Sequence, residues 1–403
     1  MHIRDRSIEQ HHLIETPAGE NEPERSLALM LGGGGARGAY QAGVLRGLAR
    51  LFPQLNFPII TGISAGAVNT IHLAAFEGNL AASTDALAAL WMALTPEQVY
   101  DVRATHLLGN LVRWGTRLLS GGIRAGPEPM RGMVDTDPLR QFLGRSLVRR
   151  TDGSLPGIDQ NIQRGTLQAV ALSATSYTTG HSMTWVQGRD IALWQRPQRR
   201  SQSTPLTVEH VMASSALPML FPAVRVGDQW FGDGGIRLTS PLSPALHLGA
   251  TRILTISTKY RPPHGANGTT THGYPPPAQV LGVLYNAIFL DQIDEDMILL
   301  GKVNRLLADL PSEKHQGMRI VGNMVIRPSK DLRRLVRELE TRLPAPLRYL
   351  TRGLGTRQTR SPEFLSLILF EREYIGRLIE LGEADAQAQA ERFDRFLQQP
   401  VHA

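Results

Sequence analysis

The stretch SLALMLGGGGARGAYQAGVLRGLARLF, residues 26–52, constrains the fold most: an apolar run, four consecutive glycines, then apolar residues at helical spacing. A short apolar run that ends in glycines is the pattern of a buried strand entering a tight turn. Val44, Leu45, Leu48, Leu51 and Phe52 then share one helical face, and Pro53 stops the helix. FPIITGI repeats the strand pattern and AGAVNTIHLAAFE the helix pattern, closed by Gly78-Asn79. Strand, helix, strand, helix within about fifty residues calls for parallel strands joined by crossover helices, hence an α/β sandwich.

Further along, TLQAVALSATSYTTGHSMTWVQG predicts two strands joined at Thr179-Gly180, and VRVGDQWFGDGG a hairpin around Gly227-Asp228. RILTIST, residues 252–258, predicts another buried strand. RPPHGANGTTTHGYPPP, residues 261–277, has the composition of a flexible loop or linker. Beyond it the pattern is mainly helical, with a short strand near MRIVGNMVI, and YIGRLIELGEADAQAQAERFDRFL predicts a solvated face over core. HLLGNLVRWGTRLLS, residues 106–120, is amphipathic and fits a packed helix, an interfacial helix or a lid.

A chain of 403 residues that is 42% hydrophobic can bury a sizeable core. The formal net charge of +7 favours anionic surfaces without choosing among lipid, nucleic acid and acidic substrates. Cysteine is absent, which removes disulfides, thiolate metal sites and a Cys nucleophile. The mixed-charge first 25 residues lack the apolar core of a secretory signal, so a cytoplasmic location is expected. The stretch Leu51–Phe76 is free of Asp, Glu, Lys and Arg but holds Pro53, Gln54, Asn56, Pro58 and Asn69, which argues against a membrane span. The histidines form no ligand pattern backed by acids, so no metal is expected. Trp185, Trp194, Trp230 and Arg196–Arg200 lack an accompanying nucleic-acid motif and are expected in strand packing and a basic loop.

Gly62-Ile63-Ser64-Ala65-Gly66 sets a serine between a strand and a helix, the pattern of a nucleophile elbow, but equally that of a tight turn of small residues. At a helix N-terminus the hydroxyl meets unpaired N–H groups and a dipole that favours developing negative charge. The glycine run beside it could supply further N–H donors. A dinucleotide fingerprint would require an acid some 20 residues on, and none occurs between Gly38 and Glu77. A P-loop would require Gly-Lys-Ser/Thr, whereas Arg37 is followed by Gly38 and Ala39. For the base, Ser64, Asp233 and His247 can be set in α/β-hydrolase order, yet too few strands precede the serine, and His247 is expected to be packed or at the surface. Asp233, before Gly234 and Gly235 at a strand end, is either an ordinary hairpin turn or a presented carboxylate.

Together, Gly33-Gly34-Gly35-Ala36-Arg37-Gly38, Gly62-Ile63-Ser64-Ala65-Gly66 and Asp233-Gly234-Gly235 resemble, in order, the three signature blocks of the patatin-like phospholipase family. VDTDPL (134–139) and MASSALPMLFPAV (212–224) are similar to further segments of it. The resemblance spans about 26–260. It implies a three-layer α/β/α sandwich with a mostly parallel sheet, preceded by a tail (1–25) and followed by the 261–277 loop and a helical region (278–403).

It also implies a Ser64–Asp233 dyad without histidine or cofactor, an oxyanion hole from Gly33, Gly34 and Gly35, and Arg37 holding that loop or biasing its field. Gly62 and Gly66 would flank the nucleophile, and Gly234 and Gly235 the proton acceptor. An acid of ordinary pKa about 3.9 can deprotonate an alcohol only if burial raises its basicity and the anion is strongly stabilised. The expected substrates are phospholipids or lysophospholipids, met from the side of a membrane, with no nucleic acid partner. A soluble esterase, thioesterase or acyltransferase with the same dyad, and a non-catalytic lipid-binding protein, are the alternatives.

Overall fold

The computed structural model describes residues 26–101, 132–262, 274–337 and 363–399, with isolated positions at 109, 339 and 348. The tail, nearly all of the amphipathic 106–120 stretch and most of the 261–277 loop lie outside them. The apolar run at the start becomes β1 (Leu27–Leu31), followed by the helix α1 (Gly38–Leu51), β2 (Ile59–Ile63), α2 (Ala65–Ala75) and α3 (Leu80–Ala93). The long antiparallel pair is β3 (Ala169–Ser176) and β4 (Ser182–Gly188), and the later hairpin β7 (Val224–Val226) and β8 (Gln229–Asp233). Next come β9 (Arg252–Ile256) and β10 (Gly322–Ile326).

The sheet runs β10-β9-β1-β2-β3-β4, with β10, β9, β1, β2 and β3 mutually parallel and β4 antiparallel to β3. Its strands are apolar on both faces, as expected when helices cover both sides. Leu27, Leu29 and Leu31 of β1, with Val170 and Leu172 of β3, face a core shared with α1, α2 and α3. Ala28 and Met30, with Ile59, Ala169 and Ala171, face a second core with Ala245, Ile293 and Leu300. That period-two division produces the three layers.

Two stretches differ from their sequence patterns. Arg196–Arg200, expected as a basic loop, is an edge hairpin: β5 (Gln195–Arg196) pairs with β6 (Arg199–Ser203), which adds parallel to β4. Its strands are polar because an edge strand has little core to face, so no apolar alternation marked it. The C-terminal region, whose role the sequence left open, is built into the sandwich. It supplies β10 to the sheet edge, and the Arg372–Ala388 helix lies along α1 with Tyr374, Ile375, Leu378 and Ile379 buried.

That helix crossing is close enough to touch backbone. A Cβ added at Gly43 would lie 2.1 Å from the Ile379 carbonyl oxygen, and one at Gly382 would lie 2.3 Å from that of Tyr40. Alanine gains about 1 kcal/mol over glycine inside a helix, but overpacking costs about 1–3 kcal/mol, and backbone cannot rotate aside. We expect Gly43→Ala to lower the thermal midpoint. Gly301→Ala, in the Gln292–Ala308 helix where no atom lies within 4 Å, should raise it. A Gly43→Ala midpoint at or above wild type would show that the helices are not in backbone contact.

Candidate active site

Ser64 and Asp233 meet because two strands share one edge of β3. β2 runs parallel along that edge and ends with Ile63 opposite Ser173. β8 arrives antiparallel and ends with Asp233 opposite Ala174. β4 occupies the other edge along the whole of 169–175, so β2 and β8 must abut end to end. Ser64, one residue past β2, therefore faces the end of β8.

Ser64 has φ 56° and ψ −127°, a left-handed conformation that a non-glycine residue adopts only at a cost on the order of 1–3 kcal/mol. The surrounding structure holds it there. Its N–H donates to Ser214 Oγ (3.0 Å), and Ser214 Oγ donates to the Ser173 carbonyl (2.7 Å). Gly62 and Gly66 are needed for close approach: a Cβ at Gly66 would stand 2.1 Å from the Leu31 carbonyl oxygen, and one at Gly62 2.2 Å from Thr70 Oγ1.

The glycine run lies against the serine, since a Cβ at Gly33 would be 3.1 Å from Ser64 Cβ. Gly34 (φ 150°) and Gly35 (φ 56°) have backbone conformations that favour glycine. The loop's carbonyls are turned away and fixed. Thr258 Oγ1 donates to Gly33 O (2.8 Å), and Gln41 Nε2 to Gly32 O (2.9 Å). Gln41 is itself set by Asn69 (2.9 Å), and Asn69 by the Trp91 indole (2.7 Å). Among the described residues, nothing accepts a hydrogen bond from the N–H of Gly33 or Gly34. Arg37 does not join these donors: its N–H bonds Gly34 O (3.1 Å), and its guanidinium pairs with Glu363 (2.7 Å) and Ser366 (2.9 Å).

The Asp233 carboxyl has no solvent exposure. Its backbone is pinned by the Ala216 carbonyl (2.9 Å) and the Thr175 hydroxyl (2.9 Å), and Oδ1 accepts from the Gly235 N–H (2.9 Å). Burial pushes its pKa up to about 7, opposed by the Ser64 hydroxyl and the Gly235 N–H. Oδ2 meets no donor at full hydrogen-bond geometry. The Ser64 hydroxyl is thus close enough to act on the carboxyl but not aligned with Oδ2. The two following glycines are again required by space: Cβ atoms there would lie 2.2 Å from Ser173 O at Gly234 and 2.2 Å from Phe289 at Gly235. His247 takes no part in this arrangement. It stacks on Trp194 at 4.6 Å, and burial with Arg196, Arg199 and Arg319 pushes its pKa down to about 4.

Sequence reasoning gave no site role to Ser214, Gln41, Asn69, Thr258 or Glu363. Gln41 and Asn69 carried a usable signal, since each is a polar residue at helical spacing from apolar ones: Gln41 from Val44 and Leu45, Asn69 from Ala65 and Leu73. Among the described residues, no group of three or more His, Asp or Glu side chains could hold a metal ion, and no helix is long and apolar enough to cross a membrane.

The patatin-like phospholipase family model matches residues 29–246, more than half the chain. This chain belongs to the patatin-like phospholipase family. The three signature blocks lie inside the matched region. No curated protein matches it. Solved structures similar to it include VipD from Legionella pneumophila, 12% identical with a TM-score of 0.35, covering 92% of this chain and 67% of that one. Human GIVD cytosolic phospholipase A2 in complex with methyl gamma-linolenyl fluorophosphonate is 12% identical with a TM-score of 0.42, covering 93% and 59%. The type III effector ExoU is 15% identical with a TM-score of 0.28, covering 90% and 54%. The chain thus spans only about half to two thirds of these larger proteins.

A buried carboxyl with a raised pKa has a definite effect on stability. Its folded-state pKa of about 7 lies above the ordinary 3.8, so its contribution is fully present below about pH 4 and is lost as pH climbs through 7. The span of about three pKa units corresponds to a loss on the order of 4 kcal/mol. Asp233→Asn removes the ionisation and keeps an acceptor for Gly235. Its melting midpoint should therefore gain on wild type between pH 5 and pH 8. A constant difference across that range would assign Asp233 an ordinary pKa.

Proposed function

We propose that the chain is a serine lipid acyl hydrolase acting on phospholipid or lysophospholipid esters through a Ser64–Asp233 dyad. The observation that carries this reading is the fully buried Asp233 carboxyl, raised to about 7, abutting a serine held at positive φ. Relative to an acid at 3.8, its conjugate base gains about three orders of magnitude in basicity.

In the first step Ser64 Oγ attacks the ester carbonyl carbon while its proton passes to the Asp233 carboxylate. The carbonyl oxygen takes the negative charge and lies against the N–H groups of Gly33, Gly34 and Gly35, with the N-terminus of α2 adding its dipole. The C–O bond then breaks, the leaving alcohol takes the proton from Asp233, and the acyl group stays on Ser64. In the second half water attacks the acyl carbon and gives its proton to Asp233. Ser64 leaves and recovers that proton. Every proton moves between groups already in place, so no metal or organic cofactor is needed.

Lipid is favoured over a soluble ester by the Pro277–Phe289 helix. Its Phe289 packs on Gly235, beside the proposed base, while Val280, Val283 and Leu284 are exposed on the same helix. An exposed apolar face beside the site suits the side of a membrane or micelle.

The test is intact-mass spectrometry after treatment with an active-site fluorophosphonate. Wild type should gain one adduct, Ser64→Ala none, and Asp233→Asn should label more slowly by roughly a hundredfold or more, the scale of general-base catalysis. The wild-type rate on a short-chain ester should rise with pH through about 7 as Asp233 ionises. A folded wild type that takes no adduct and cleaves no ester would leave lipid binding without turnover as the better reading.

A further inference from the structure

The glycine run owes its position to residues outside the matched family region, which ends at 246. Arg37 ends the turn that Gly35 begins, and its guanidinium is buried. Nη2 pairs with Glu363 Oε2 at 2.7 Å and Nε donates to Ser366 Oγ at 2.9 Å. Ser366 Oγ in turn donates to the Glu363 carbonyl at 2.6 Å, so the short Glu363–Ile368 helix presents both acceptors at once. The second Glu363 oxygen accepts from Arg333 Nη1 (2.9 Å), and Arg333 is gripped at both ends of its fork by Asp331 (2.7 Å each). The same helix touches the loop directly. A Cβ at Gly35 would stand 2.1 Å from the Leu367 carbonyl oxygen.

We propose that Glu363 and Ser366 are positioning residues which, through Arg37, hold the Gly33–Gly35 backbone against Ser64. The inference rests on the hydrolase reading of Ser64 and adds that the C-terminal region completes the site. A bidentate, buried guanidinium fixes direction as well as distance, which a flexible glycine loop cannot do for itself. Donors aimed at a developing oxyanion lose their effect when they shift by a fraction of an ångström.

The rival is a simple cross-link between α1 and the C-terminal helices. Glu383 provides the comparison. It pairs with Arg46 (2.5 Å) and Arg50 (2.9 Å), joining α1 to the Arg372–Ala388 helix at the end of α1 remote from the glycines.

The experiment uses the full chain and the variants Glu363→Gln, Ser366→Ala and Glu383→Gln. It reads kcat and KM on a short-chain p-nitrophenyl ester, fluorophosphonate labelling rate and melting midpoint. Glu363→Gln and Ser366→Ala should lower kcat and labelling by roughly tenfold to a hundredfold, with KM within about twofold. Glu383→Gln should lower the midpoint and leave kcat unchanged. Should Glu363→Gln fail to fold, Ser366→Ala, which removes one hydroxyl, carries the comparison. Wild-type kcat in the two loop-side variants, or an equal kcat loss in Glu383→Gln, overturns the proposal. A wild type that neither labels nor turns over overturns the hydrolase reading first, and this one with it.

Discussion

Everything at the candidate site follows from two strands sharing one edge of β3. A strand edge offers a single row of backbone partners, and here β2 uses it as far as Ser173 and β8 takes it from Ala174 onward. Because β2 is parallel and β8 antiparallel, their carboxyl ends point at each other, which brings residue 64 to residue 233 without any long loop. Side chains on a strand alternate between faces, so a slip of β8 by one residue would turn Asp233 to the opposite face, away from Ser64. The pins on Asp233, from Ala216, Thr175 and Gly235, oppose that slip.

Much of this was legible in the sequence because the signals were local. The glycine run after LALML, the serine between FPIIT and AVNTI, and the DGG after QWF each sit at a strand end, and strand ends are where apolar periodicity breaks. The alternation of strand and helix fixed the parallel sheet for the same reason. Gly62 and Gly66 read as residues of a sharp turn, and the geometry adds a cause that the pattern does not show. The left-handed conformation belongs to Ser64, while the glycines clear space for Leu31 and Thr70.

What the sequence concealed depends on partners far away along the chain. Arg37 reads as a basic residue after glycines, and nothing near it reveals that Glu363 will neutralise it 326 residues later. Ser214 sits in a run of small residues, MASSALP, where one hydroxyl is indistinguishable from its neighbour. Only the fold shows that Ser214 bridges the Ser64 N–H to β3. The edge hairpin was hidden for the opposite reason, since RRSQS carries no apolar pattern because it has little to bury.

The electrostatic surroundings of Asp233 hold no cation among the influences on its carboxyl. A guanidinium facing Asp233 would favour its charged form and pull its pKa down by one to three units, undoing the effect of burial. In the structure the influences on Asp233 are burial, the Ser64 hydroxyl and the Gly235 N–H, with no cation among them. Burial and, after it, the charge of the same carboxyl raise the nearby tyrosines, Tyr177 and Tyr285, the latter to about 12, so both stay neutral. A lone buried carboxyl near pKa 7 matches the basicity of an ordinary imidazole. Under the proposed dyad, such a carboxyl would need no histidine between acid and serine, at the cost of a fold that holds a carboxylate without a cation out of water. Arg37, at the end of the glycine turn, is instead paired with the carboxylate that the Glu363–Ile368 helix supplies.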